Sequence, residues 1–463
     1  MSHVIHLQRF FQRLQAQTRS ATSSIEERIV RGGIGSLIVR VGGTGLLFLL
    51  SVVLTRLLGA AEFGIYAYVV AWMNVLVLLA VLGVNQLLTR DLAVYQIRSA
   101  YGLMHGQIRW SVRVVLPVSL SVTVVSGGAA WSLLQATNPY LLAAFWIGCL
   151  LLPITALLLL GKGYLHGFSS IVEGLFPELV VRPAVTIVLA VAAVWGMGIA
   201  LNALHALWVY VVASAVALLV TFWSCFRHFP REVQSAPPEY ERRTWLITAL
   251  PLALSSFLGI LNNRVSILAV GAMLSPESVG IYAAAVRLAE LINFVLIAVN
   301  VALSPSVARL YAMQHIPQLQ HLVTRNARTI LFASTPIAAV FIFFGPWVLR
   351  LFGPEFPQGY PALVLLSIGQ LGYIAVGSVG ILLTMTGYER DAAVVMAVGL
   401  LLNIVLNVLL IPLWGIVGAA LAASVSTVGW NMALAAMIPK RLGIHSTVLG
   451  TWRFPWGRSL KRK

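Results

Sequence analysis

Four ionisable side chains stand inside long apolar runs, Arg40, Arg264, Arg287 and Glu290. A charge held at the centre of a bilayer costs about 2.5 to 3.5 kcal/mol, so such residues mark a cavity, a partner charge or an ion path. A glutamate can carry a proton, so Glu290 is also a candidate for coupling to an ion, H+ or Na+. Arg264 is the sharpest candidate, because it sits near the middle of its run, flanked by Asn262 and Asn263. Arg40 lies about 9 Å in from one end at 1.5 Å per residue, near enough to snorkel. Arg287 and Glu290, three apart, share a helical face and can neutralise each other, as can Glu178 and Arg182, four apart. Asn85 and Asn300 read first as hydrogen-bonding glue between helices and second as substrate contacts. The binding candidates are therefore Arg264, Arg40, Asn263, Arg287, Asn85 and Asn300, with Glu290 for coupling and no catalytic or metal residue.

The elements that must position these residues are membrane helices. Of 463 residues 59% are hydrophobic and 10% charged, more apolar side chain than a soluble core of this size can hide. Twelve runs reach the length of about 20 residues that a crossing needs. They are 34–57, 66–89, 110–132, 139–160, 178–199, 202–225, 246–273, 281–304, 329–351, 361–386, 392–412 and 415–438. Barrel strands would be about half as long and would alternate polar with apolar. Along span 1, Ser36, Arg40, Thr44, Ser51 and Thr55 form a polar stripe, as do Ser256, Gly259, Asn263 and Ser266 along span 7, and both stripes are expected to face a common cavity.

The net charge of +17 follows the spans and points to topology, not to nucleic acid. Twenty-five of the 31 Lys and Arg fall on the side of the N-terminus, while Arg56 and Arg350 alone lie at the opposite ends of spans. The positive-inside rule thus predicts both termini in the cytoplasm. In the N-terminal tail, Leu7, Phe10, Phe11 and Leu14 beside Arg9 and Arg13 suit an interfacial helix. No cleavable signal peptide is expected, since the first long apolar run begins beyond residue 30 and is of full membrane length.

The chain reads as built twice. Phe63, Gly64, Ile65, Tyr66 returns 216 residues later as Val279, Gly280, Ile281, Tyr282, and the stretch from Trp195 to Leu201 is echoed from Trp414 to Leu421. Internal repeats in a membrane chain imply two lobes around a shared path. The expected organisation is a tail at 1–31, an N-lobe at 32–226, a linker at 227–244, a C-lobe at 245–438 and a basic tail at 439–463. Cys149 and Cys225 carry no metal spacing, the nine His are scattered, and Gly161-Lys162-Gly163 lacks the remainder of a phosphate-binding loop. No soluble segment is long enough to house a nucleotide-binding domain.

The order of several weak motifs resembles the oligosaccharide and polysaccharide flippases, O-antigen translocase type, of the multidrug/oligosaccharidyl-lipid/polysaccharide exporter superfamily. These motifs are Thr55-Arg56-Leu57-Leu58-Gly59 running into Glu62 to Tyr66, the stretch from Tyr164 to Pro183, and Val279 to Tyr282. Ser304-Pro305, Phe352-Gly353-Pro354-Glu355-Phe356, Thr386 to Arg390 and Ile411 to Ala422 complete them. The resemblance implies an all-α polytopic protein of about twelve helices in two six-helix lobes, rocking around a cavity lined mainly by spans 1, 2, 7 and 8. It implies a polyprenyl pyrophosphate-linked oligosaccharide as cargo, no covalent chemistry, no cofactor, and a place in a bacterial or archaeal cytoplasmic membrane beside a glycan polymerase and glycosyltransferases. Where relatives often carry an acidic residue in span 7 this chain has Asn263, which weakens ion coupling there. The alternatives are a multidrug or cation antiporter, which would favour buried carboxylates, and a glycan polymerase or ligase, which would need long outer loops.

Overall fold

The computed structural model describes residues 2–196, 198 and 200–450, with side chains from residue 35 onward apart from 301, 302, 305 and 389. The side chains of the amphipathic N-terminal stretch and the tail beyond residue 450 lie outside the described residues. The chain runs α1 (Ser2–Val81), α2 (Val84–Ile97), α3 (Tyr101–Leu134), α4 (Pro139–Cys149), α5 (Leu151–Gly167), α6 (Ile171–Phe176), α7 (Arg182–Val191), α8 (Ala203–Arg227) and α9 (Arg231–Ser235). The second half runs α10 (Arg242–Met273), α11 (Pro276–Ile292), α12 (Phe294–Ala312), α13 (Ile316–Arg350), α14 (Tyr360–Val376), α15 (Val379–Met385) and α16 (Glu389–Leu442). There is no strand among the described residues.

Nine helices among the described residues are long and apolar enough to cross a membrane, and α11 with the start of α12, bent by 42°, adds a tenth. Two of the nine, of 47 and 53 residues, far exceed the roughly 20 residues of one crossing. Each folds at a glycine in a conformation closed to other residues, Gly59 (φ 74°, ψ 176°) in α1 and Gly415 (φ 58°, ψ −134°) in α16. Each therefore holds two crossings, which accommodates the twelve that the hydropathy predicts.

The first lobe packs α1 to α9 together and the second α10 to α16, and α1 lies against α10 and α11 between them. The lobes meet tightly at the bend of α1 near Gly59. There the two copies of the repeated motif face each other. A Cβ on Gly64 would collide with the Pro276 carbonyl, and one on Gly280 with the Ala60 carbonyl, so only glycine lets the backbones approach. Arg56 donates from Nε to the Leu351 carbonyl (2.7 Å) and from Nη2 to the Arg350 carbonyl (2.7 Å), capping the end of α13 from the opposite lobe. Glu355 returns the contact by accepting the Ala60 N–H (3.0 Å), and Phe48 meets Phe352 edge-on at 5.8 Å.

Away from this bend the lobes also meet where Gly83 lies against the backbone of Ala249 and Ala253 and Gln86 Nε2 donates to Ser256 Oγ (2.6 Å). On α1, Gly42 and Gly45 face open space and Ile38, Val41 and Leu49 are exposed.

Candidate functional site: a charged cavity between the lobes

The apolar frame leaves a cavity of about 270 Å³ between the lobes. Its walls come from both halves of α1 (Ser51, Tyr66, Asn74), from the turn before α7 (Glu178), from the start of α7 (Arg182), from α8 (Tyr210), α10 (Arg264) and α11 (Arg287, Glu290). The charges that line it fall in two clusters on opposite lobes.

On the C-lobe wall Glu290 is shared by two arginines. Its Oε2 accepts Arg287 Nη1 at 2.9 Å and its Oε1 lies 3.5 Å from Arg264 Nη1. The i,i+3 spacing on α11 brings the first pair together, and α10 delivers the second cation from a neighbouring helix. Arg287 also donates from Nε to Ser51 Oγ (3.2 Å), reaching across to the N-lobe.

On the N-lobe wall Glu178 is shared in the same way, its Oε2 at 2.7 Å from Lys162 Nζ and its Oε1 at 4.0 Å from Arg182 Nη2. A wide helical turn over Pro177–Val181 carries Glu178. Pro183 has no N–H to continue the ladder, which favours that irregular turn. Gly43 of α1 packs onto the turn, where an added Cβ would lie 2.7 Å from Leu179 Cβ. The Arg182 guanidinium sits 5.2 Å above the Tyr210 ring, and Tyr210 meets Tyr66, the tyrosine of the repeated motif, at 5.8 Å.

Of the residues singled out from the sequence, Arg264, Arg287 and Glu290 line the cavity together. Arg40 stands on α1, partly exposed, with a buried Nε that has no hydrogen-bond partner among the described residues. Asn263 is exposed and its Nδ2 donates one turn back to the Gly259 carbonyl (3.0 Å). Asn85 lies in α2, its carbonyl accepting from Thr89 Oγ1 (3.0 Å) and abutting Gly163. Asn300 Oδ1 accepts from Ser378 Oγ (2.5 Å), tying α12 to the segment before α15.

The span 7 stripe divides among three environments instead of sharing the cavity. Ser256 meets Gln86, Asn263 is exposed, and Ser266 is buried with Asn403 and Asn407 (3.4 and 3.1 Å). The i,i+4 spacing of Glu178 and Arg182 predicts only a local ion pair, whereas Lys162 joins them from α5. The available signal was the pair of prolines, Pro177 and Pro183, bracketing two charges inside an apolar run.

The fold is that of a known class of membrane proteins. The structure aligns with an inward-facing multidrug resistance transporter of the MATE family of the MOP superfamily at TM-score 0.74 and 14% identity, over 88% of this chain and 98% of that one. With an outward-facing MATE-family transporter of the same superfamily the TM-score is 0.63 at 14% identity, over 90% and 95% of the two chains. A MOP superfamily transporter from Pyrococcus furiosus, described as having a binding pocket of reverse polarity, aligns at TM-score 0.64 and 14% identity over 90% and 95%. The chain belongs to the family described as polysaccharide biosynthesis protein, which it matches over residues 29–311, and it matches the MatE family over residues 251–409. An uncharacterized membrane protein of Methanocaldococcus jannaschii is 26% identical over 134 residues, 28% of this chain. The chain spans about a quarter of that relative's length, 26%.

Proposed function

We propose that this protein is a transporter that flips a polyprenyl pyrophosphate-linked oligosaccharide from one leaflet to the other by alternating access, in the manner of O-antigen and exopolysaccharide flippases. The observation that carries the reading is the charge of the cavity, which three arginines (Arg182, Arg264, Arg287) line against two carboxylates, with Lys162 paired to one of these, Glu178. An excess of guanidinium donors over carboxylates favours phosphate over a cationic drug. Ser51, Asn74, Tyr66 and Tyr210 supply polar walls for sugars. The lipid chain would stay in the bilayer while its head group sits inside.

With the termini in the cytoplasm, the closed end at Gly64 and Gly280 is the outer one and the cavity faces inward, ready to load. The match to the MatE family over residues 251–409 favours a second reading, a multidrug or cation antiporter, and the cavity's net positive charge weighs against it. Deletion of this chain should cause lipid-linked oligosaccharide to accumulate on the cytoplasmic face, cured by the wild type but not by Arg264→Ala. No accumulation, with new sensitivity to cationic drugs, would transfer the function to the antiporter reading.

A further inference from the structure

The two carboxylates of the cavity are bound unequally on their two sides. Glu290 is tight on Arg287 (2.9 Å) and loose on Arg264 (3.5 Å), and Glu178 is tight on Lys162 (2.7 Å) and loose on Arg182 (4.0 Å). In each cluster the tight cation satisfies the carboxylate, and the loose one keeps guanidinium donors for a ligand. The two loose arginines, Arg182 and Arg264, line one cavity from opposite lobes.

A cavity lined with arginine that admits a lipid-linked cargo also meets the commonest anions of the bilayer, the singly charged phosphodiester head groups. A single negative charge placed on either arginine must compete with a carboxylate already resident, and it gains one partner at the expense of another. A ligand with two or more charges on adjacent phosphates can engage both arginines at once and exceed both competitors.

We infer that Glu178 and Glu290 are specificity-determining residues, resident counter-ions that set the minimum cargo charge at two and exclude monoanionic phospholipids from the cavity. This rests on the reading of the cargo as a diphosphate. It also makes the ligand a bridge between the lobes, because each half of the clamp belongs to a different one.

The test uses the purified full-length protein, with inorganic pyrophosphate as the divalent probe and phosphatidylglycerol vesicles or micelles as the monoanionic one. Wild type should bind pyrophosphate at least tenfold more tightly than it binds phosphatidylglycerol. In Glu290→Gln, and independently in Glu178→Gln on the other wall, phosphatidylglycerol binding should strengthen about tenfold and the discrimination collapse, while Glu290→Asp restores it. Two separate walls keep the test decisive should one variant fold poorly, and thermal unfolding identifies that case. Unchanged discrimination in both Gln variants, with pyrophosphate binding intact and lost in Arg264→Ala, would overturn the counter-ion role alone. Wild type that ignores pyrophosphate would overturn it together with the diphosphate cargo.

Discussion

The closed end of the molecule and its cavity follow opposite rules. At the closed end the two halves meet through equivalent residues, since Ala60 and Gly64 stand 216 residues before Pro276 and Gly280, and each glycine touches the other half's copy of the same contact. In the cavity many positions still correspond, but their side chains no longer match. At the same offset of 216 residues Glu290 corresponds to Asn74, Arg287 to Ala71 and Arg264 to Phe48. The N-lobe reaches similar charge by a different route, from Lys162 on α5 and the turn before α7. Duplication thus supplies the surface at which the two lobes meet, while each lobe carries its cavity charges at positions that hold no charge in the other.

The contrast can be broken first at the charges. Arg264→Ala leaves Glu290 and Arg287 without their third partner and removes a donor from the cavity; truncating one member of a buried charge cluster costs about 2 to 5 kcal/mol in binding. Export measured as surface glycan should fall about a hundredfold or more, and Arg264→Lys should retain part of it. Next in size is the closure. Gly64→Leu and Gly280→Leu each force a side chain into the opposite backbone at about 1 to 3 kcal/mol, and symmetry predicts equal effects. In a background with Cys149 and Cys225 changed to Ser, a cysteine at Ser51 should become reachable by a membrane-impermeant thiol reagent from outside in both variants. A response in only one would contradict the equivalence of the halves.

Arg56→Ala comes third. It deprives two carbonyls at the end of α13 of a charged donor, worth about 1.5 to 3 kcal/mol, and should raise the same labelling without abolishing cargo binding. Ser51→Ala is the smallest, one hydrogen bond to Arg287 at about 1 kcal/mol, visible as a weaker export defect that leaves labelling unchanged.

The helical class, the number of crossings and the repeat were legible because hydropathy and exact spacing encode them directly. The placement of Arg264, Arg287 and Glu290 in one cavity was legible from the cost of burying charge. What stayed hidden depends on which way a helix is turned. Asn263 and Arg264 are adjacent, yet one faces outward and the other the cavity, and a stripe drawn through Ser256, Asn263 and Ser266 joins residues with three different surroundings. Glu178 and Arg182 looked local because i,i+4 spacing suffices to explain a pair. Only the irregular turn at Pro177–Val181 and the arrival of Lys162 from α5 make them part of a cavity wall.

The central claim is that the cavity carries an anion attached to a lipid. Its most direct test is translocation by the purified protein in proteoliposomes of a short-chain polyprenyl diphosphate oligosaccharide, compared with the same glycan on a neutral lipid. Rapid movement of the diphosphate, little of the neutral analogue, and loss of the difference in Arg264→Ala is the expected result. Equal rates for the two lipids, or transport of a lipophilic cation in their place, would contradict it.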